Sequence, residues 1–390
     1  LRAVHKSDEI GIHATAKPKF NDILAHVNAT VKEGVAHAKK TLKKTKNLRY
    51  ITGKACFVAK NTIEVNHERI TAKKIIIATG TRPFIPPIQG IQDVDYLTNE
   101  NILELKKQPK SLVIIGGGYI ACEFATFFAT LGTKVTIVER APHLLGVLDE
   151  DIRQPIQAHL ESLGVNILVN AAVTKVSQSK SITCQIAGAD TKRVSAQQIL
   201  IAAGRIPNTE KLDAHRANIP LNKRGFIDVD TYLRTKNKDV YAIGDVHGQA
   251  LFAHAAKRES WYALEHALFD TKFRYDPALV PWAVFTHPVA AGVGRSEQEL
   301  KADKQPYQVL EAQAKSNGKA RIIQEPEGKL KVLHHNGKLL GAFMVGAQAD
   351  VLIHEFVALM HAKHPLKILK EMIHIHPTLS ELVEQLKPRR

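Results

Sequence analysis

The chain has 390 residues and a mass of 43.1 kDa, which exceeds one small module and suits two or three domains. With 44% hydrophobic and 24% charged residues and a mean hydropathy of −0.15 it is a globular rather than a disordered or fibrous chain, and no run approaches the roughly 18 apolar residues of a membrane span. The net charge of +16 would attract polyanions at low salt, but the densest basic stretch, Lys39–Lys46, has no interleaved aromatics and no nucleic-acid motif around it, so it reads as a solvated helix face and neither nucleic acid nor membrane is an expected partner.

From Phe20 to Lys46 the spacing of Ile23, Leu24, Val27, Val31, Val35 and Leu42 predicts a long amphipathic helix with its lysines outward. Strands are expected at 49–52, 62–65 and 74–78, the last ending at Thr79-Gly80, and Arg82-Pro83-Phe84-Ile85-Pro86-Pro87 reads as a connector. From Lys110 the order becomes strand (112–115), glycine turn (116–118), helix (119–131), strand (134–139), helix (150–163) and strand (165–169), which is a βαβ pattern. A buried strand at 199–203 ends in Gly204. Further on come a strand leading to Gly244-Asp245, a helix from about Phe252 to Phe269, and a C-terminal region with alternating strands at 330–333 and 339–342 followed by two helical stretches.

The chemistry is densest at Gly116-Gly117-Gly118-Tyr119-Ile120-Ala121, a GxGxxA between strand and helix, with acidic Glu139 ending the next strand 23 positions after Gly116. Gly116 permits the tight turn, Gly118 lets a pyrophosphate approach the backbone, Ala121 allows close helix–strand packing, and the helix N-terminus offers N–H groups and a positive dipole end. Glu139 would accept the ribose hydroxyls and repel a 2′-phosphate, favouring NAD, whereas Arg140 beside it could pair with that phosphate.

Together with IIIATGTRP (75–83), GGGYIACE (116–123), LIAAGRIPN (200–208), YAIGD (241–245) and HPTLSE (376–381), the chain resembles the flavin-dependent pyridine nucleotide-disulfide oxidoreductases, and within them the dihydrolipoamide dehydrogenases. The matches run in the family's order from about residue 50 to residue 386; YLTNENILEL and FTHPVAAGVG also resemble mycothione reductase, and mercuric reductase is a further relative. The resemblance implies two Rossmann-like nucleotide-binding domains, for FAD and NAD, and a C-terminal α+β dimerisation domain. The boundaries it implies are 1–108 and 230–276 for the FAD domain, 109–229 for the NAD domain and 277–390 for the interface domain. It also implies that Thr79 and Gly80 line the FAD path, that Gly53 contacts the FAD adenine, that Asp245 binds the ribityl chain, and that Ala253 and His254 open a helix toward the flavin ring. Glu123 would stand beside the nicotinamide, Val173 against the NAD adenine, and Gly204 in a second turn on the NAD side.

HPTLSE carries two readings. Thr378 and Glu381 form the spacing of a capping box, and by resemblance His376 and Glu381 form an acid–base dyad for a dithiol substrate that faces the flavin of a partner subunit, which implies a homodimer. The histidines at 354, 361, 364 and 374 lack a metal-ligand pattern, so no metal is expected. The family also carries an earlier glycine fingerprint and a CxxxxC disulfide, and neither is in this sequence: Cys56, Cys122 and Cys184 lie at least 62 positions apart. The expectation is an N-terminally incomplete chain. Val289 stands where dihydrolipoamide dehydrogenases usually carry glutamate, leaving the substrate open. The alternatives are a mycothione or mercuric reductase-like enzyme, or a non-catalytic nucleotide-binding dimer partner. Few cysteines point to a reducing, cytoplasmic setting, and Leu1-Arg2-Ala3-Val4-His5 has no signal- or transit-peptide character.

Overall fold

The computed structural model describes residues 11–188 and 190–389 together with Val4 and Ser7, so most of the opening pentapeptide lies outside the described residues. The chain forms two compact units, one of 1–24, 85–203 and 281–390, the other of 25–84 and 204–280.

Helix α1 (Phe20–Lys44) buries Phe20 and Leu24 and ends in Lys43 and Lys44, whose charges complement the C-terminal end of the helix dipole. Beyond half-buried Val27 the expected apolar stripe is uncovered: Val31, Val35 and Leu42 are exposed, so the helical period marks a buried face only over the first turns. No strand forms at 49–52; Arg49 instead pairs through its side chain with Glu68, and the first strand is β1 (Cys56–Ala59). Strands β2 (Thr62–Val65) and β3 (Glu68–Thr71) join β1 in an antiparallel sheet, turned by Asn66 and His67, both at positive φ as a two-residue hairpin requires. Two short strands follow, β4 (Ile75–Ile77) and β5 (Thr81–Pro83).

The next segment holds β6 (Ser111–Ile115), α2 (Tyr119–Thr130), β7 (Lys134–Val138), α3 (Glu150–Ser162) and β8 (Asn166–Leu168), in the order expected. An antiparallel meander of β9 (Ala171–Val176), β10 (Ser181–Ile186) and β11 (Thr191–Ser195) then intervenes before β12 (Gln198–Ile201) closes a parallel sheet of order β12–β6–β7–β8. Leu112 to Ile115 are buried on both sheet faces, which is why β6 reads as an unbroken apolar run.

Residues 204–280 stand with 25–84. Strand β13 (Arg205–Pro207) pairs antiparallel with β5, and β14 (Val240–Ala242) pairs parallel with β4. Helix α4 (Ala253–Phe269) follows, and Phe57, Ile77, Ile219, Ile227, Val240 and Val246 share a core.

The C-terminal region is one antiparallel sheet of six strands: β15 (Trp282–Val284), β16 (Ala290–Gly294), β17 (Gln308–Gln313), β18 (Lys329–His335), β19 (Lys338–Val345) and β20 (Lys387–Pro388), in spatial order β15–β16–β19–β18–β17–β20. Helices α5 (Glu297–Ala302), α6 (Gly318–Ile322), α7 (Ala349–Leu352) and α8 (His354–His361) flank it. One sheet face packs Val332, Ala342 and Met344 against Phe356 of α8, while Leu333, Phe343 and Val345 join the core of α2 and α3. Among the described residues no helix is long and apolar enough to cross a membrane.

Candidate functional site

The turn after β6 is built for glycine. Gly116 has φ +113°, and a Cβ there would lie 2.3 Å from the carbonyl oxygen of Ala202. A Cβ on Gly117 would lie 2.9 Å from Cγ of Glu139, so the turn and the end of β7 are in van der Waals contact. Gly118, the N-cap of α2, has open space where a Cβ would project, and the first turn of α2 carries neither a side-chain cap nor an acidic residue. Ala121 is fully buried against the strand. An uncapped helix N-terminus facing open space beside Gly118 fits a nucleotide pyrophosphate. Half-buried Glu139 accepts the Ala141 N–H at its Oε1 (2.6 Å), which holds the carboxylate beside the glycine turn, while Arg140 is exposed. Val173 sits half-buried in β9, opposite Cys184. One turn into α2, Glu123 Oε1 accepts the N–H of Phe285 at 3.0 Å; burial pushes this carboxyl above its ordinary value and the N–H offsets part of the rise.

In the other unit, the carbonyls of Thr79 and Gly80 accept the side-chain amide (2.9 Å) and backbone N–H (3.0 Å) of Asn208. Gly80 has φ +65° with open space at its missing Cβ. Asp245 Oδ2 accepts the Thr81 hydroxyl at 2.6 Å and lies 3.6 Å from Arg205 Nε, which itself donates to Thr81 Oγ1 at 2.6 Å. Thr81 and Arg205 join Asp245 in this cluster without a signal of their own in the sequence, although each stands inside a family motif, Thr81 after ATG and Arg205 after AAG. Gly204 has φ +123° and its carbonyl accepts the Phe84 N–H. A Cβ on Gly53 would lie 2.6 Å from both Asn66 and Val65 side chains. Ala253 and His254 are exposed at the start of α4, with the His254 ring stacked on Phe252. The α4 N-terminus carries no side-chain cap and no acid in its first turn, and with the space at Gly80 it fits a flavin nucleotide.

In the C-terminal region His376 Nδ1 lies 2.8 Å from Glu381 Oε1, and Glu381 Oε2 accepts the Thr378 N–H at 2.7 Å. One carboxylate thus serves both readings of HPTLSE, orienting the imidazole and capping the turn Leu379–Gln385. With Nδ1 donating to the carboxylate, Nε2 is the proton-accepting nitrogen, and the His376 side chain is 80% exposed. The His376 contact, then the Thr378 N–H, hold the Glu381 carboxyl below its ordinary range. His374, two residues earlier, is buried between Glu384 (3.0 Å) and Glu355 (3.4 Å). Among the described residues Asp149, Asp151 and Glu297 converge closely enough to share an ion, but the Lys331 ammonium stands among them. The three cysteines are unpaired. Burial pushes the Cys122 thiol up to about 12 and raises Cys184 as well.

A glycine turn opening a helix in a parallel sheet, followed by an antiparallel C-terminal sheet, is the fold this chain shares with flavoprotein disulfide reductases of known structure. The chain belongs to the pyridine nucleotide-disulphide oxidoreductase family: the model of that family matches residues 6–260, and the model of its dimerisation domain matches residues 280–386. Members of this family use FAD and NAD(P). The chain is 36% identical over 309 residues to a mercuric reductase of Staphylococcus aureus, covering 78% of this chain and 56% of that protein. It is 30% identical over 386 residues to a dihydrolipoyl dehydrogenase of Chlamydia pneumoniae, covering 97% and 82%. The chain therefore spans about half the length of the mercuric reductases it matches. Among solved structures it is similar to the Cu(II) complex of the HOCl-induced flavoprotein disulfide reductase RclA from Escherichia coli, with TM-score 0.85 and 30% identity over 98% of this chain and 87% of that one. LpdA from Mycobacterium tuberculosis shares the fold, with TM-score 0.87 and 22% identity over 98% and 86%.

Proposed function

We propose that the protein is an FAD-dependent oxidoreductase passing electrons between a dihydrolipoamide-like dithiol and NAD, acting as a homodimer in the cytoplasm. The observation that carries this reading is the exposed His376 held by Glu381 at 2.8 Å, a base placed to take a thiol proton. FAD, when bound, supplies the two-electron relay between thiol and nicotinamide. Gly116, Gly118 and the α2 N-terminus hold the NAD pyrophosphate, Ala121 keeps α2 close to the sheet, and Glu139 accepts the ribose hydroxyls. Val173 contacts the adenine, Gly204 shapes the second turn, and Glu123 orients the nicotinamide. Asp245, steadied by Thr81 and Arg205, accepts hydroxyls of the ribityl chain; Thr79, Gly80 and Gly53 line the same path, and Ala253 and His254 present a helix N-terminus to the flavin ring. His376 Nε2 receives the dithiol proton, and Glu381 stabilises the imidazolium that results. The disulfide with which the substrate exchanges is not among Cys56, Cys122 and Cys184. In this reading 1–108 and 230–276 serve FAD, 109–229 serves NAD, and 277–390 forms the dimer interface and receives the dithiol, free or on a lipoyl domain.

A second reading, reduction of Hg(II), is favoured by the identity with the mercuric reductases. The two are separated on purified, flavin-containing protein. Flavin absorbance bleached by dihydrolipoamide supports the first; Hg(II)-dependent oxidation of reduced nicotinamide with no dithiol reaction supports the second; protein that takes up no flavin contradicts both.

A further inference from the structure

Beneath the loop that carries Asp245 lies a buried pair of side chains that the proposed chemistry does not use. Strand β14 pairs with β4 as far as Ala242, and the Ile243 N–H still reaches the Ile77 carbonyl. The next donor, Gly244 N–H, goes to Glu259 Oε2 on α4 at 2.6 Å. The same oxygen receives His247 Nε2 at 2.9 Å, and both side chains are wholly buried. His247 Nδ1 faces the Gln249 N–H at 3.4 Å; Nδ1 therefore accepts, and Nε2 carries the proton given to Glu259. Gly244 has φ +68°, and a Cβ on it would meet Cβ of Ala256 at 3.1 Å, so the loop lies directly on α4. Tyr275 stands edge-on to the His247 ring, 6.1 Å between centroids. Burial pushes the Glu259 carboxyl up, but its contact with His247, and then the Gly244 N–H, outweigh it and hold the group below its ordinary value.

We propose that Glu259 and His247 are positioning residues for flavin binding: their shared oxygen fixes the Gly244 N–H, and with it the direction in which the adjoining Asp245 is presented. The inference rests on the reading of Asp245 as a flavin ligand. A buried carboxylate would otherwise be a costly choice for a site with no proton to transfer. Here it supplies an acceptor where the strand ladder has ended; an amide in its place would offer both donors a weaker, uncharged oxygen and would put a buried NH2 where Oε1 now has no hydrogen-bond partner.

The test is a titration of flavin-stripped protein with FAD, followed by flavin fluorescence, with the melting temperature of each flavin-free variant measured separately by circular dichroism. Glu259→Gln and His247→Leu are expected to weaken FAD binding about tenfold, the effect of stranding one buried donor or acceptor. His247→Gln keeps a donor toward Glu259 and is expected to remain within about threefold of the parent. A purely structural pair would lower the melting temperature of the flavin-free protein yet leave the affinity of its folded fraction unchanged. Affinity within twofold of the parent in His247→Leu, while Asp245→Ala weakens it, overturns the inference. Asp245→Ala with parent-like affinity, or parent protein that binds no FAD, overturns the Asp245 reading instead. If Glu259→Gln does not fold, the comparison of His247→Leu with His247→Gln, read below both melting temperatures, decides alone.

Discussion

The Lys331 ammonium, on the second face of the C-terminal sheet, lies 2.8 Å from Asp149, 2.6 Å from Asp151 and 3.0 Å from Glu297. Asp149 also accepts the N–H groups of Glu297 and Gln298, so the cluster fastens the start of α5 to the start of α3. Replacing Lys331 with Met would strand buried carboxylates, and a loss of about 3–5 kcal/mol of unfolding free energy in urea is expected. Burial raises Asp151, but Lys329 and Lys331 outweigh it; in Glu297 burial is likewise outweighed by Arg389 and Lys331, so both carboxyls stay below their ordinary values. Their contribution is present above the unfolded-state carboxylate pKa and is lost as pH falls through the folded one. Lys331 itself is lowered by burial and raised further by its partners, so its contribution is lost only as pH rises through a folded pKa above the ordinary lysine value. Acid unfolding of Lys331→Met is therefore expected at higher pH than in the parent, and an unchanged acid midpoint would show that the cluster adds nothing. Lys331 was hidden in the sequence, where Leu-Lys-Val alternation suggests a lysine facing water; the second sheet face is covered by α3 and α5, which single-strand periodicity cannot reveal.

At the scale of elements, the β6–turn–α2–β7 unit was legible because each local rule agreed: a buried apolar run, glycines where backbone geometry needs them, and an acid at the next strand end. Its two outer glycines should respond differently. Gly116→Ala forces a Cβ to within 2.3 Å of a backbone oxygen at positive φ, so clear destabilisation is expected, about 1–3 kcal/mol. Gly118→Ala meets nothing in the protein and should melt near the parent temperature, yet its methyl group would occupy the place proposed for the pyrophosphate and weaken NADH binding about tenfold or more. Parent-like NADH affinity in Gly118→Ala would remove the turn from the nucleotide site. The meander β9–β11 escaped the sequence reading because β11, Thr191-Lys192-Arg193-Val194-Ser195, is almost wholly exposed and offers no alternation. The 49–52 segment has strand-forming residues, yet no ladder takes up its backbone and Arg49 is tied to the sheet only through its side chain on Glu68.

At the scale of the whole molecule, Ile373 and Ile375 are 96% and 79% exposed on the segment leading to His376, in the region matched by the dimerisation-domain model. The proposed homodimer is expected to cover these side chains, and Ile375→Asp is expected to shift sedimentation from dimer toward monomer. The family motifs made this architecture legible from five short segments, whereas the charge cluster and the His247–Glu259 pair join residues too far apart in sequence for any local pattern to show. The most direct test of the proposed dithiol oxidoreductase follows the two half-reactions separately by rapid mixing, in flavin-loaded protein carrying the redox disulfide that this reading requires, comparing parent with His376→Gln. Dithiol-dependent flavin reduction is expected to slow by about 10²- to 10⁴-fold, the usual contribution of a positioned base, while NADH-dependent flavin reduction hardly changes. Parallel loss of both half-reactions, or an undiminished dithiol reaction, would contradict the assignment of His376 as the acid–base group.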